Sequence, residues 1–327
     1  MILVTGGAGF IGSNLVARLT AEAGRVSVND RLGVGDKWRN LARHPFDELV
    51  APDDLGDFLR RRGDEIELVY HLGAITSTTE TDADLLADTN IRLPQRLWRW
   101  CARHQVPFVY ASSAATYGDG ARGFQDDDSP TALASLRPLN AYAWSKHAFD
   151  RWAARQNAEG RDRPPLWYGL KLFNVYGPNE YHKGDMQSVV AKAYAQISCG
   201  EAVTLFRSHD PAYSDGGQKR DFVYVDDCVD VLTWLPANAP ASGIYNVGSG
   251  RAQTWLELVD AVGASSGKSP RIEWTDVPLS LRERYQYYTQ ADMAKLRAAG
   301  YERPFRTLEE GVAAYVQGYL ATRDPYR

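Results

Sequence analysis

The stretch Met1–Gly12, MILVTGGAGFIG, decides the fold. Met1 to Thr5 form a short apolar, β-branched run, the pattern of a strand buried on both faces. Gly6, Gly7, Gly9 and Gly12 follow, and a helical pattern runs from Ser13 to Ala23. Strand, glycine turn and helix in that order are the context a dinucleotide fingerprint requires. The turn must be tight, a backbone without Cβ must approach a pyrophosphate, and the diphosphate then sits at the helix N-terminus. The competing reading is a glycine-rich turn that only shapes the chain.

Outward from that stretch, a second strand, Arg25 to Asn29, ends at Asp30-Arg31, where a dinucleotide's adenosine ribose is expected. An acid there suits the free 2'-hydroxyl of NAD, and a nearby arginine suits the 2'-phosphate of NADP. Both are present, with Lys37 as another cation, so local chemistry leaves the two coenzymes open. The strand Ile66 to His71 runs into Leu72-Gly73-Ala74-Ile75-Thr76, the small-residue turn expected under the cofactor. Asp88 to Arg103 reads as a helix whose Leu93, Leu97 and Trp100 stripe belongs to the core. Val106 to Ala111 is a strand feeding Ser112-Ser113, at the strand end where ligands collect in such sheets. Phe124 to Pro138 reads as an acidic, proline-containing loop before a helix that carries Tyr142 and Lys146. Strand Leu166 to Phe173 leads to Asn174 and to Gly177-Pro178, which ends regular structure. Asn179 to Asp215 starts a second lobe; Arg220 to Asp227 is a strand-to-helix segment and Ile244 to Gly248 a further strand.

The chain has 327 residues, enough for a sizeable core and two unequal lobes. Its net charge of -4 argues against a general nucleic-acid binder. Three cysteines, Cys101, Cys199 and Cys228, show no CxxC or Cys/His spacing, so no disulfide framework and no metal site is expected. A reducing cytoplasm is the expected location. No apolar run reaches transmembrane length, so neither export nor a membrane partner is expected.

Tyr142 and Lys146, four residues apart, share one helix face, so phenol and ammonium can enter one cleft. A tyrosine ordinarily keeps its proton to about pH 10. An ammonium and an oxidised nicotinamide ring beside it favour phenolate and let it act as a base. Ser113 can hold the same substrate oxygen, or it can be a turn serine. Together these residues suit hydride transfer.

TGGAGFIG, YASSAATYG, YAWSK and LFNVYGP resemble the extended short-chain dehydrogenase/reductase superfamily and its nucleotide-sugar epimerases and dehydratases. HLGAITSTTE, NVYGPNEYHKGDM, KRDFVYVDD and RYQYYTQAD are similar to the ADP-L-glycero-D-manno-heptose 6-epimerase family, with matches spread from Met1 to about Tyr315. The resemblance implies an α/β fold: a Rossmann-type doubly wound parallel sheet with a smaller C-terminal substrate-binding domain. The expected division is 1-173 plus about 219-246 for the coenzyme, and about 174-218 plus 247-327 for the substrate. It also implies tightly held NADP, with NAD as the other possibility, an ADP-heptose substrate, a homo-oligomer, and a redox-neutral inversion at C6 for lipopolysaccharide inner-core synthesis. In that mechanism two acid/base groups serve two faces. Tyr142 matches one and Lys183 the other; by itself Lys183 reads as a surface or phosphate-contacting lysine. Cofactor positions carried over are Phe10, Ile11, Arg31, Lys37, Leu72 to Thr76, Asn90, Lys146 and His182, beside Gly6, Gly7, Gly9, Gly12 and Asp30. Substrate positions are Ser113, Asn174, Asp185, Lys192, Phe206, Arg220 and Tyr285. An arginine fork at 220 independently suits a diphosphate. The chain departs from the family pattern at Asp185 (usually serine), Lys192 (usually histidine), Pro52 (lysine in some members) and in a longer Arg207–Gln218 segment, which bears on substrate contacts and on NADP preference.

A UDP-hexose 4-epimerase is the nearest alternative, but its mechanism has no need of Lys183. A 4,6-dehydratase is expected to carry an Asp-Glu pair where Ala114-Ala115 stand. A non-catalytic NAD(P)-binding regulator is the reading from another class, and intact Ser113, Tyr142 and Lys146 argue against it.

Overall fold

The computed structural model describes every residue except Ala23, Glu283 and Arg284. In chain order the strands are β1 (Ile2–Thr5), β2 (Val26–Asn29), β3 (Glu48–Val50), β4 (Leu68–His71), β5 (Phe108–Ser113) and β6 (Trp167–Leu172). There follow β7 (Asn174–Tyr176), β8 (Val203–Phe206), β9 (Lys219–Tyr224), β10 (Gly243–Val247), β11 (Ala252–Thr254) and β12 (Ile272–Thr275). Among the described residues seven of these form one sheet in the order β3-β2-β1-β4-β5-β6-β10, every neighbouring pair parallel. The order reverses between β1 and β4, and in open parallel sheets the crevice at that switch point is where ligands bind. Register brings Thr5 level with both Asn29 and His71, so the loops leaving β1, β2 and β4 open at one edge.

The helices are α1 (Phe10–Ala21), α2 (Leu55–Arg62), α3 (Ala83–Ala87), α4 (Leu93–His104), α5 (Pro130–Ser135), α6 (Ala141–Ala158), α7 (Val189–Ser198), α8 (Val225–Asn238) and α9 (Trp255–Ser266), with shorter ones beyond, including Leu308–Tyr315. The core has three parts. Phe58 of α2, Leu97, Trp98 and Cys101 of α4 and Phe149 and Ala153 of α6 cover one face of the sheet. Leu15, Val16 and Leu19 of α1, with Val229, Leu232 and Leu235 of α8, cover the other. Val190 of α7, Leu258 and Val262 of α9 and Val312 enclose a third, beside the small sheets β11-β9-β7 and β12-β8. No helix among the described residues is long and apolar enough to cross a membrane.

Three segments differ from the sequence reading. The first helix begins at Phe10, inside the glycine motif, because Ser13 N already donates to Gly9 O at 2.9 Å. Its expected end at Ala23 lies outside the described residues. The helix expected from Asp88 starts instead at Ala83: Asp82 caps it by accepting from Leu85 N at 2.9 Å, and Asp88–Arg92 continue it as a wide turn into α4. The loop from Phe124 to Pro138 contains α5, where Ser129 accepts from Ala132 N and Pro130 supplies a first-turn φ without needing its missing N–H.

Candidate active site

At the open end of the sheet lies a cavity of about 460 Å³. The glycine turn forms its floor. Gly6 has φ +69°, and a Cβ on it would stand 2.4 Å from Gly73 N, so the turns after β1 and β4 touch backbone to backbone. A Cβ on Gly12 would stand 2.1 Å from Gly6 O. A side chain at either place would collide with backbone and force the turn apart from its neighbour, so the cradle needs glycine at both. That cradle, followed by a helix N-terminus, fits the pyrophosphate of a dinucleotide. Gly7 does not line the cavity; a Cβ there would press on Val28 Cγ1 at 2.9 Å, so it lets α1 sit against β2.

At the end of β2, Asp30 accepts from Ala8 N at 2.9 Å, from Arg31 N at 2.7 Å and from Lys37 Nζ at 2.7 Å. Asp30 and Lys37 line the cavity. Arg31 turns out to solvent and makes a two-pronged pair with Asp53 at 2.7 Å. Leu72, Gly73, Ala74 and Thr76 line the cavity, whereas Ile75 does not. Asn90 is buried: it accepts from Ile75 N at 3.0 Å and donates to Ile75 O and Ser145 Oγ, each at 2.9 Å. Asn90, expected as a coenzyme contact, is not among the residues lining the cavity; its bonds clip the β4 turn to α6.

Tyr142 and Lys146 enter the cavity from the first turns of α6, which Asn140 caps by accepting from Ala143 N at 2.8 Å, and Ser113 enters from the end of β5. Lys146 is buried, its Nζ donating to Ala111 O at 2.9 Å, and burial lowers its pKa to about 8 against the opposing pull of Asp150. Burial raises the Tyr142 phenol, with the Ser113 hydroxyl lowering it and the Asp150 charge raising it. In the protein alone the phenol therefore moves away from phenolate, opposite to the expectation with a cationic ring beside it. The ammonium of Lys146 is engaged by a carbonyl, and burial wins.

Lys183 and His182 line the same cavity, from the turn Tyr181–Met186. Lys183 Nζ lies 5.2 Å from the centroid of the Phe10 ring. Burial lowers the Lys183 pKa, partly offset by Glu180. His182 is lowered by burial and then by the Lys37 and Lys183 charges. Buried Glu180 accepts from Ser188 Oγ at 2.7 Å and Gly177 N at 3.4 Å, so it ties together the two ends of the segment that carries Lys183.

Gly9, Phe10, Ile11 and Asn174 also line the cavity. Asp185 and Lys192 do not: both are exposed, and Lys192 Nζ donates to Asp185 O at 2.6 Å. Phe206, Arg220 and Tyr285 form a cluster beside it. The Arg220 guanidinium lies 5.3 Å from the Tyr285 ring and 5.8 Å from that of Trp255, which lines the cavity itself. The sequence reading missed Trp255, which carries no local signal. It also missed Asp150, which accepts from Tyr110 Oη at 3.0 Å, Ser112 Oγ at 2.6 Å and Lys171 Nζ at 3.2 Å under the site. Its spacing, four residues past Lys146 and eight past Tyr142, was legible.

A sequence model of the NAD dependent epimerase/dehydratase family matches residues 2–248. An ADP-L-glycero-D-manno-heptose-6-epimerase of Nitratidesulfovibrio vulgaris (strain Hildenborough) is 48% identical over 331 aligned residues, covering 100% of both chains. Among solved structures, the Helicobacter pylori ADP-L-glycero-D-manno-heptose-6-epimerase superposes with a TM-score of 0.79 at 26% identity, over 97% of this chain and 95% of that one. The Thermus thermophilus UDP-glucose 4-epimerase in complex with NAD gives 0.76 at 30% identity, over 97% of each chain. A parallel sheet with its crevice at the switch point, a glycine cradle and a serine, tyrosine and lysine converging there are thus accounted for together: the chain belongs to the NAD dependent epimerase/dehydratase family.

Proposed function

We propose that the protein is an isomerase that converts ADP-D-glycero-β-D-manno-heptose to ADP-L-glycero-β-D-manno-heptose by inversion at C6, in lipopolysaccharide inner-core synthesis. The observation that supports this reading is a second amine, that of Lys183, in the cavity lined by Tyr142 and Ser113. The full-length relative at 48% identity bears that name.

When bound, the coenzyme would supply the acceptor and donor of the C6 hydride and, oxidised, a positive charge on its ring. Ser113 holds the C6 oxygen by a hydrogen bond and Tyr142, as phenolate, removes its proton, leaving an aldehyde. Lys146 stabilises the phenolate as a neighbouring cation. After rotation about C5–C6, the Lys183 ammonium gives a proton to the carbonyl oxygen as the C–H bond re-forms. The lowered pKa of Lys183 eases that donation and its reverse. Arg220 is assigned to the diphosphate, with Phe206, Tyr285 and Asn174 as further substrate contacts.

NADP is the proposed coenzyme, held at its 2'-phosphate by Lys37 and Arg31. Drawing Arg31 from its exposed pair with Asp53 costs under about 1 kcal/mol. NAD is the second reading, favoured by the Asp30 carboxylate at the cavity wall. Titrating stripped protein with each decides between them, and tighter NAD would reassign the coenzyme. The coenzyme is assigned to residues 1-173 plus about 219-246, and the substrate to the rest, in a cytoplasmic homo-oligomer.

Incubating the purified protein with ADP-D-glycero-D-manno-heptose and no added coenzyme should yield the L-glycero epimer by chromatography. An untouched heptose alongside an epimerised UDP-hexose would assign the protein to the 4-epimerases.

A further inference from the structure

The segment Asp324–Arg327 crosses the outer side of the two loops that deliver Lys37 and Lys183 to the cavity. It touches both. Toward the Lys37 loop, the Asp324 carboxylate pairs with Arg39 at 3.1 Å and Arg43 at 2.6 Å. The Tyr326 carbonyl accepts from Arg43 Nη1 at 2.8 Å, and its ring lies 4.2 Å from the Arg39 guanidinium. Toward the Lys183 loop, Pro325 O accepts from Tyr181 Oη at 2.8 Å and the Tyr326 ring stands edge-on to that of Tyr181 at 5.1 Å. Arg327 closes the arrangement. Its backbone N donates to Asn179 Oδ1 at 2.9 Å, and its guanidinium reaches Asn14 Oδ1 at 2.8 Å on α1 and Asp226 Oδ2 at 3.0 Å on α8.

Beneath this segment the two loops meet through Asn40 and Asn179, both fully buried. Asn40 Nδ2 donates to Ala8 O at 2.9 Å in the glycine turn and to Asn179 O at 3.1 Å, and lies 3.3 Å from His182 Nδ1. Asn179 has φ +72° and donates to Ser13 Oγ at 3.0 Å. Asparagine is among the non-glycine residues that adopt this left-handed conformation, and here its side chain is held between Arg327 N and Ser13 Oγ.

We infer that Asp324–Arg327 act as positioning residues that fix the Lys37 and Lys183 loops against α1, and so set how tightly the coenzyme is kept and where Lys183 stands. Tyr326 and Arg327 are its two anchors. The inference rests on the coenzyme reading of the cavity given above.

The test compares wild type, Tyr326→Ala, Arg327→Met and a chain stopped after Arg323, with Arg323→Met, an exposed neighbour, as control. Each is stripped of coenzyme and titrated with NADP and NAD, and hydrogen exchange is followed in residues 36–44 and 179–186. Arg327→Met and the shortened chain should bind coenzyme about tenfold or more weakly, a loss of one decade in Kd or beyond. Exchange should accelerate in both loops and stay unchanged in β4 and β5. Wild-type affinity and wild-type loop protection in Arg327→Met and Tyr326→Ala would overturn the inference, whether or not the shortened chain folds. A wild-type protein that binds neither coenzyme would instead overturn the coenzyme reading.

Discussion

The chemistry rests on how few residues shift the acidity of two others. Tyr142 and Lys183 both face one cavity, one phenol raised by burial and one ammonium lowered by it. Tyr142→Phe and Lys183→Met should each lower kcat by about two to four orders of magnitude, the usual range for a positioned acid or base, while retaining coenzyme and fold. Wild-type turnover in Lys183→Met would sink the two-base assignment. Lys146 is expected to set a pH limit. Its ammonium is present below about 8 and lost as pH rises through it, so turnover should fall on the alkaline side there. A pH–rate profile flat to pH 10 would remove Lys146 from that role. The sequence made Tyr142 and Lys146 legible because helical spacing alone puts them on one face. It could not show that Lys146 donates to Ala111 O, since that partner lies 35 residues away on β5.

At the scale of elements, the strand–turn–helix unit of β1 and α1 is specified by its own residues. Gly12→Ala would place a Cβ 2.1 Å from a backbone oxygen, and relieving that contact should cost about 1–3 kcal/mol and abolish coenzyme binding, by urea unfolding and titration. The turn after β4 depends on a helix for its shape. Asn90→Ala removes both bonds to Ile75 and should destabilise the protein by about 1–3 kcal/mol while weakening coenzyme affinity, because the Ala74–Thr76 backbone loses its anchor. Unchanged unfolding would show the clip to be idle. Helix ends were the less legible part. Asp82 and Ser129 are capping residues, but each sits in polar sequence where many residues could cap.

Across the whole molecule, α6 is joined to β6 by a buried charge pair. Lys171 and Asp150 are almost wholly inaccessible, with Thr116, Tyr110 and Ser112 completing their hydrogen bonds. Asp150→Ala takes the paired carboxylate from buried Lys171, leaving it only the Thr116 hydroxyl, and should cost about 3–5 kcal/mol, whereas Asp150→Leu with Lys171→Met should recover most of that loss in a double-mutant cycle. Equal stability of the single and double variants would mean that the pair is not what joins helix to sheet. A doubly wound parallel sheet was implied by a resemblance; its seven-stranded order and the cavity wall supplied by Trp255 were not. Asp185 and Lys192, expected as substrate contacts, stand exposed outside the cavity lining, with Lys192 Nζ donating to the Asp185 carbonyl. The sequence by itself determined the glycine turn, the serine at a strand end and the tyrosine and lysine on one helix face, because strand and helix periodicities act over a few residues. Only the tertiary structure decided that Lys183 shares their cavity, that Asp150 meets Lys171, and that Arg327 reaches Asn14 and Asn179. Those partners are separated by up to hundreds of residues, and only the closing of the sheet and its helices brings them within reach.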